Sequence, residues 1–110
     1  VYSIERHRPL YLATRSKLEK MGYRATLVHG DGYKGLPTYG PFDKVIVTCG
    51  APAPPSELLR QLRLGGVMVV PVGGDAAQTM LRIERRGVEE WDVQEHGNFS
   101  FVPMLQEKVK

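Results

Sequence analysis

The sequence predicts an α/β fold built on a mostly parallel sheet with antiparallel C-terminal strands. Two observations carry this. Over the first seventy residues short β-prone apolar runs alternate with helix-length segments, and such alternation implies parallel strands joined by crossovers. After residue 78 the apolar runs follow one another without a helix-length spacer, so they finish the sheet antiparallel.

Val1–Ile4 reads as a short buried strand ending at Glu5. Pro9 suits a first helical position, and Leu10, Ala13, Leu18 and Met21 share one helical face until Gly22 ends it. Ala25–Val28 is the second strand, and Tyr33–Asp43 is a Gly- and Pro-rich loop. Val45–Val47 is a fully apolar third strand. Pro55-Ser56-Glu57 opens a second helix with Leu58, Leu59 and Leu62 facing inward, and Gly65-Gly66 stops it. Val67–Val72 is the fourth strand. Thr79–Glu84, Val88–Val93 and Phe99–Val102 are antiparallel strands turning at Arg86-Gly87 and near Gly97-Asn98.

A chain of 110 residues supports one core, so residues 1–110 are read as part of a single domain. Val1 already lies in a β-prone segment and no initiator Met precedes it, which reads as a fragment of a longer protein. An apolar share of 42% and a charged share of 25% are ordinary for a soluble globular chain. The net charge of +3 comes from scattered Arg and Lys, not from a stripe interleaved with aromatics, so no nucleic-acid partner is expected. No apolar run approaches the roughly 20 residues of a membrane span. The single Cys49 excludes an internal disulfide and fits a reducing compartment, and the reading is cytoplasmic.

Ligands of open parallel sheets sit outside the carboxyl ends of the strands. Glu5, Asp31 and the Cys49-Gly50-Ala51-Pro52 segment fall there. A carboxylate at a strand end can accept both hydroxyls of a ribose, and Glu5 is placed to do so or to serve as a solvated helix-entry acid near Arg8. Asp31, between Gly30 and Gly32, can accept an exocyclic amine such as that of adenine, or close an Asx turn on its own backbone. His7, His29 and His96 lack metal-ligand spacing, and no metal is expected. Cys49 is read as a small strand-end residue, since no base is paired with it in the sequence, and Trp91 as a packing residue.

Together these stretches resemble the protein-L-isoaspartate O-methyltransferase family of S-adenosylmethionine enzymes. The resemblance rests on Val1-Tyr2-Ser3-Ile4-Glu5-Arg6, Gly30-Asp31-Gly32, Pro41–Thr48, Ala51-Pro52, Leu58–Gly66, Val69-Val70-Pro71-Val72-Gly73 and Phe101-Val102-Pro103, in order along nearly the whole chain. It implies a Rossmann-like methyltransferase domain of which residues 1–110 are the C-terminal portion. Glu5, with Arg6 beside it, would bind the ribose of S-adenosylmethionine, and Asp31 and Gly32 the adenine. Thr48, Pro52, Phe101, Val102 and Pro103 would line a cleft for isoaspartyl peptides of aged proteins.

The family's first strand, its glycine-rich cofactor loop and its hydroxyl-bearing segment would precede Val1. That strand would lie between Val1–Ile4 and Val45–Val47. The catalytic residues are therefore expected upstream, and the fragment alone is expected to be inactive. Leu64 replaces the family's proline before Gly65-Gly66, Cys49 and Gly50 stand where alanines are typical, and Met104-Leu105 offers no hydroxyl. Another methyltransferase, acting on RNA or a small molecule, would share Glu5 and Asp31 but has no reason to keep the Phe-Val-Pro ending. A nicotinamide dehydrogenase would share only the strand-end acid. A non-catalytic cofactor-binding domain is the non-enzymatic alternative.

Overall fold

The computed structural model describes residues 1–74, 76–100 and 102–105. The chain divides into two compact units, one running from Val1 to Gly35 and including Leu105, the other from Leu36 to Met104.

In the first unit, β1 (Tyr2–Glu5) and β2 (Thr26–His29) pair in parallel from Tyr2↔Thr26 to Glu5↔His29, joined by α1 (Arg8–Met21). The helix starts one residue earlier than expected, so Pro9 takes its second position, where a missing N–H still costs no intrahelical bond. It ends as expected. Gly22 adopts φ +80°, its N–H donates to Glu19 O, and Tyr23 N–H donates to Leu18 O, the paired bonds of a Schellman cap. The apolar face shared by Leu10, Ala13, Leu18 and Met21 is not buried: Leu18 is half-covered, while Leu10 and Ala13 are exposed and Met21 is 60% exposed. Two strands 4.8 Å apart make a surface narrower than a helix about 10 Å across, so they cannot cover it. For the same reason Tyr2 and Ser3 are exposed and β1 is not the buried strand that its composition suggests.

The second unit holds a four-stranded sheet ordered β3 (Phe42–Ile46), β4 (Leu62–Gly73), β5 (Gln78–Arg85), β6 (Trp91–Phe99). The β3–β4 pair is parallel, joined through α2 (Ser56–Arg60), and the two later pairs are antiparallel. Met68 and Val70 of β4, two apart on one face, pack with Ile83, Leu58, Leu62, Val47 and Ala51 as the core. The third strand is less buried than its apolar run implies. It lies at the sheet edge, and Ile46 is 74% exposed.

Two glycine signals do other work than expected. The helix α2 stops at Gln61, and Gly65-Gly66 lie inside β4, where the register jumps from Phe42↔Leu62 to Lys44↔Val67. Gly65 has φ +81°, and a Cβ on Gly66 would stand 2.8 Å from Arg63 O and 3.1 Å from Asp43 O, so the irregularity requires glycine. Leu64 sits exposed in this excursion. Gly97-Asn98 does not turn a hairpin either. The last two expected strands are one, β6, with a bulge: Thr79 pairs with Asn98 but Leu81 pairs with Glu95, and Gly97 at φ +85° takes up the extra residue.

Candidate functional site

Glu5 and Asp31 meet at one edge. Because β1 and β2 run parallel and Glu5 is paired with His29, both chains leave the sheet at its carboxyl end, with Asp31 two residues beyond His29. Both acids are half-buried. Glu5 Oε1 accepts the backbone N–H of His7 at 3.2 Å, which orients the carboxylate across the start of α1. No ion pair with Arg8 forms among the described residues, so the helix-entry role is met through the backbone instead. Asp31 caps the 3-10 turn Gly32–Lys34, its Oδ1 accepting Tyr33 N–H at 2.9 Å. This is the Asx turn, closed through Oδ1, and a carboxylate offers about four acceptor directions. Gly30 and Gly32 do not adopt positive φ; the sharp reversal comes at Gly35, with φ +62°.

One contributor was not legible in the sequence. His29 Nε2 lies 3.1 Å from Arg6 O, and the His29 ring stacks on Tyr11 with centroids 5.8 Å apart and planes 27° apart. His7 Nδ1 is buried without a hydrogen-bond partner.

The second cluster lies wholly in the other unit. Beyond β3, Val47 N–H donates to Val69 O and Ala51 N–H to Pro71 O, which continues the parallel run along β4 as far as an isolated bridge from Ala51 to Val72. On the other side, Gly50 N–H donates to Val102 O at 2.7 Å and Met104 N–H to Gly50 O at 2.6 Å. The structure thus brings Thr48–Pro52 and Val102–Pro103 together, with Thr48, Pro52, Val102 and Pro103 exposed and Ala51 fully buried beneath. Phe101 lies outside the described residues. Cys49 is half-buried and packs against the core, which suits a small packing residue. Gln78, missed in the sequence, is 2% exposed, lies against Gly50 and donates from Nε2 to Gly74 O at 2.6 Å.

Among the described residues no group of three or more His, Cys, Asp or Glu could hold a metal, and no helix is long and apolar enough to cross a membrane. An open groove of about 330 Å³ beside Pro37, Gly40, Pro41, Glu57, Arg60 and Gln61 contains none of the expected site residues. What the first edge can do chemically is accept hydrogen bonds from hydroxyls and amines through two carboxylates, a donor-poor set that suits the sugar and base of a nucleoside.

The family described as protein-L-isoaspartate(D-aspartate) O-methyltransferase matches residues 1–109. A protein-L-isoaspartate O-methyltransferase of Christiangramia forsetii is 55% identical over 109 residues, covering 98% of this chain and 51% of that protein. The one from Flavobacterium psychrophilum is 49% identical over 109 residues, with the same two coverages of 98% and 51%. The chain spans about half the length of these curated relatives. Among solved structures, a Plasmodium falciparum protein described as a protein-L-isoaspartate O-methyltransferase, in complex with S-adenosyl-L-homocysteine, aligns with a TM-score of 0.82. It is 18% identical, and the match covers 96% of this chain and 52% of that one, a likeness of fold. A second solved protein-L-isoaspartate O-methyltransferase aligns with a TM-score of 0.85 at 25% identity, covering 94% of this chain and 33% of its own. The α/β arrangement with mixed sheets is that of these Rossmann-like methyltransferases.

Proposed function

The chain belongs to the protein-L-isoaspartate(D-aspartate) O-methyltransferase family, and from that premise we propose that its full-length parent methylates the carboxylate of isoaspartyl residues in aged proteins. The observation that carries the reading is the family match over residues 1–109, which includes both strand-end acids. Residues 1–110 are then the C-terminal portion of one S-adenosylmethionine-dependent domain working in the cytoplasm.

When bound, S-adenosylmethionine supplies an electrophilic methyl group on a sulfonium sulfur. Glu5 accepts the ribose hydroxyls through its carboxylate, already oriented by His7 N–H, with Arg6 beside it. Asp31 accepts the adenine amine and Gly32 lines the base, while Oδ1 of Asp31 keeps the turn closed through Tyr33 N–H. Thr48, Pro52, Phe101, Val102 and Pro103 hold the peptide. The acceptor carboxylate has an ordinary pKa near 4 and is ionised at neutral pH, so no general base is asked of this chain. What remains for the protein is proximity and orientation.

The test is methyl transfer by the full-length parent to an isoaspartyl peptide and to its normal aspartyl twin. Transfer to the isoaspartyl peptide alone is expected. Equal transfer to both, or to neither while S-adenosylhomocysteine still binds, contradicts the substrate assignment.

A further inference from the structure

We propose that His29 is a positioning residue for Glu5, setting the ribose preference of the site; this rests on the reading that Glu5 binds the ribose. The ladder between β1 and β2 ends where Gly30 N–H donates to Glu5 O at 3.0 Å. The next carbonyl, Arg6 O, lies past that ladder, and the side chain of His29 reaches it from the neighbouring strand at 3.1 Å. A carbonyl only accepts, so Nε2 of His29 carries the proton in this bond.

Arg6 is flanked by the two residues that define the carboxylate: Glu5 itself and His7, whose N–H holds Glu5 Oε1 at 3.2 Å. Fixing the Arg6 peptide therefore fixes the distance between the Glu5 side chain and its backbone donor. Tyr11 completes the arrangement. Its N–H donates to His7 O at 2.9 Å, and its ring stacks on His29 at 5.8 Å, so the first turn of α1 holds both ends of the bond. A carboxylate held in this way meets vicinal hydroxyls without first being ordered by them, and that saving appears as affinity.

The test compares adenosine with 2′,3′-dideoxyadenosine as ligands of the full-length parent, since their affinity ratio reads the ribose hydroxyls. The wild type should prefer adenosine about tenfold. His29→Phe keeps a ring against Tyr11 but removes the donor, and should cut that preference about threefold or more. His29→Gln keeps a donor of similar reach without the ring, and should retain most of it. A folded His29→Phe variant with undiminished preference overturns the proposal. If His29→Phe fails to fold, Tyr11→Leu frees the His29 ring and should lower the same ratio; an unchanged ratio there overturns the proposal as well. Glu5→Ala separates the two layers. Loss of the preference in Glu5→Ala but not in His29→Phe refutes only the role of His29, whereas a preference that survives Glu5→Ala refutes the ribose reading and the proposal with it.

Discussion

At position 50 there is no room for a side chain. A Cβ there would stand 2.8 Å from Gln78 Cδ and 2.9 Å from Cγ and Nε2. Gln78 cannot swing away cheaply, because it is buried and tied to Gly74 O. Glycine at position 50 therefore has a local physical cause in this chain. Gly50→Ala should lower the unfolding free energy of the full-length parent by about 1–3 kcal/mol, the usual range for overpacking. In a Gln78→Ala background that cost should fall by more than about 0.5 kcal/mol, since the two residues touch and their effects cannot add. Denaturant unfolding of the four proteins in this cycle checks both statements; simple additivity would mean that the Gln78 side chain is not the obstacle. Asp31 shows a different arrangement at the same scale, in which Oδ1 closes the Asx turn by accepting Tyr33 N–H.

At the scale of elements, the hairpin between β5 and β6 is held by Arg85. Its Nη1 donates to Leu62 O at 2.7 Å and to Arg60 O at 3.3 Å, Nε to Gly87 O at 3.2 Å and Nη2 to Val88 O at 3.1 Å, while its guanidinium lies 5.3 Å from the centre of the Trp91 ring. A planar fork is needed to serve four carbonyls at once, so Arg85→Lys should destabilise the full-length parent by about 2 kcal/mol despite keeping the charge. A thermal or denaturant midpoint equal to wild type would contradict this. The guanidinium network also illustrates what the sequence could not disclose. Gly22 was legible as a helix end because its signal is local, a glycine where the apolar period stops. Gly65-Gly66 and Gly97-Asn98 carry the same local signal, yet they mark irregularities within β4 and β6, and only the register against Phe42 and Lys44 and against Thr79 and Leu81 tells a bulge from a stop or a turn. That Glu5 and Asp31 come to one carboxyl edge was legible from two short strands joined by a helix. His29 and Gln78 were not, because each acts on a backbone carbonyl or a glycine whose proximity is set by strand register or chain reversal.

At the scale of the whole molecule, the described strands form two sheets, β1-β2 and β3-β4-β5-β6. Large apolar side chains such as Leu10, Met21 and Ile46 stay exposed, in a chain spanning about half the length of its curated relatives. The proposed labour is divided accordingly: the first unit supplies the adenosine contacts and the second the strip for the peptide. The claim on which everything else depends is that Glu5 and Asp31 hold the cofactor. The most direct measurement is calorimetric titration of S-adenosylhomocysteine into the full-length parent and its Asp31→Asn variant. Asparagine preserves an oxygen for Tyr33 N–H, so the turn survives, but it sets an amide donor against the adenine amine. Binding should weaken about tenfold or more with the unfolding transition unchanged. Wild-type affinity in a correctly folded Asp31→Asn protein would contradict the account.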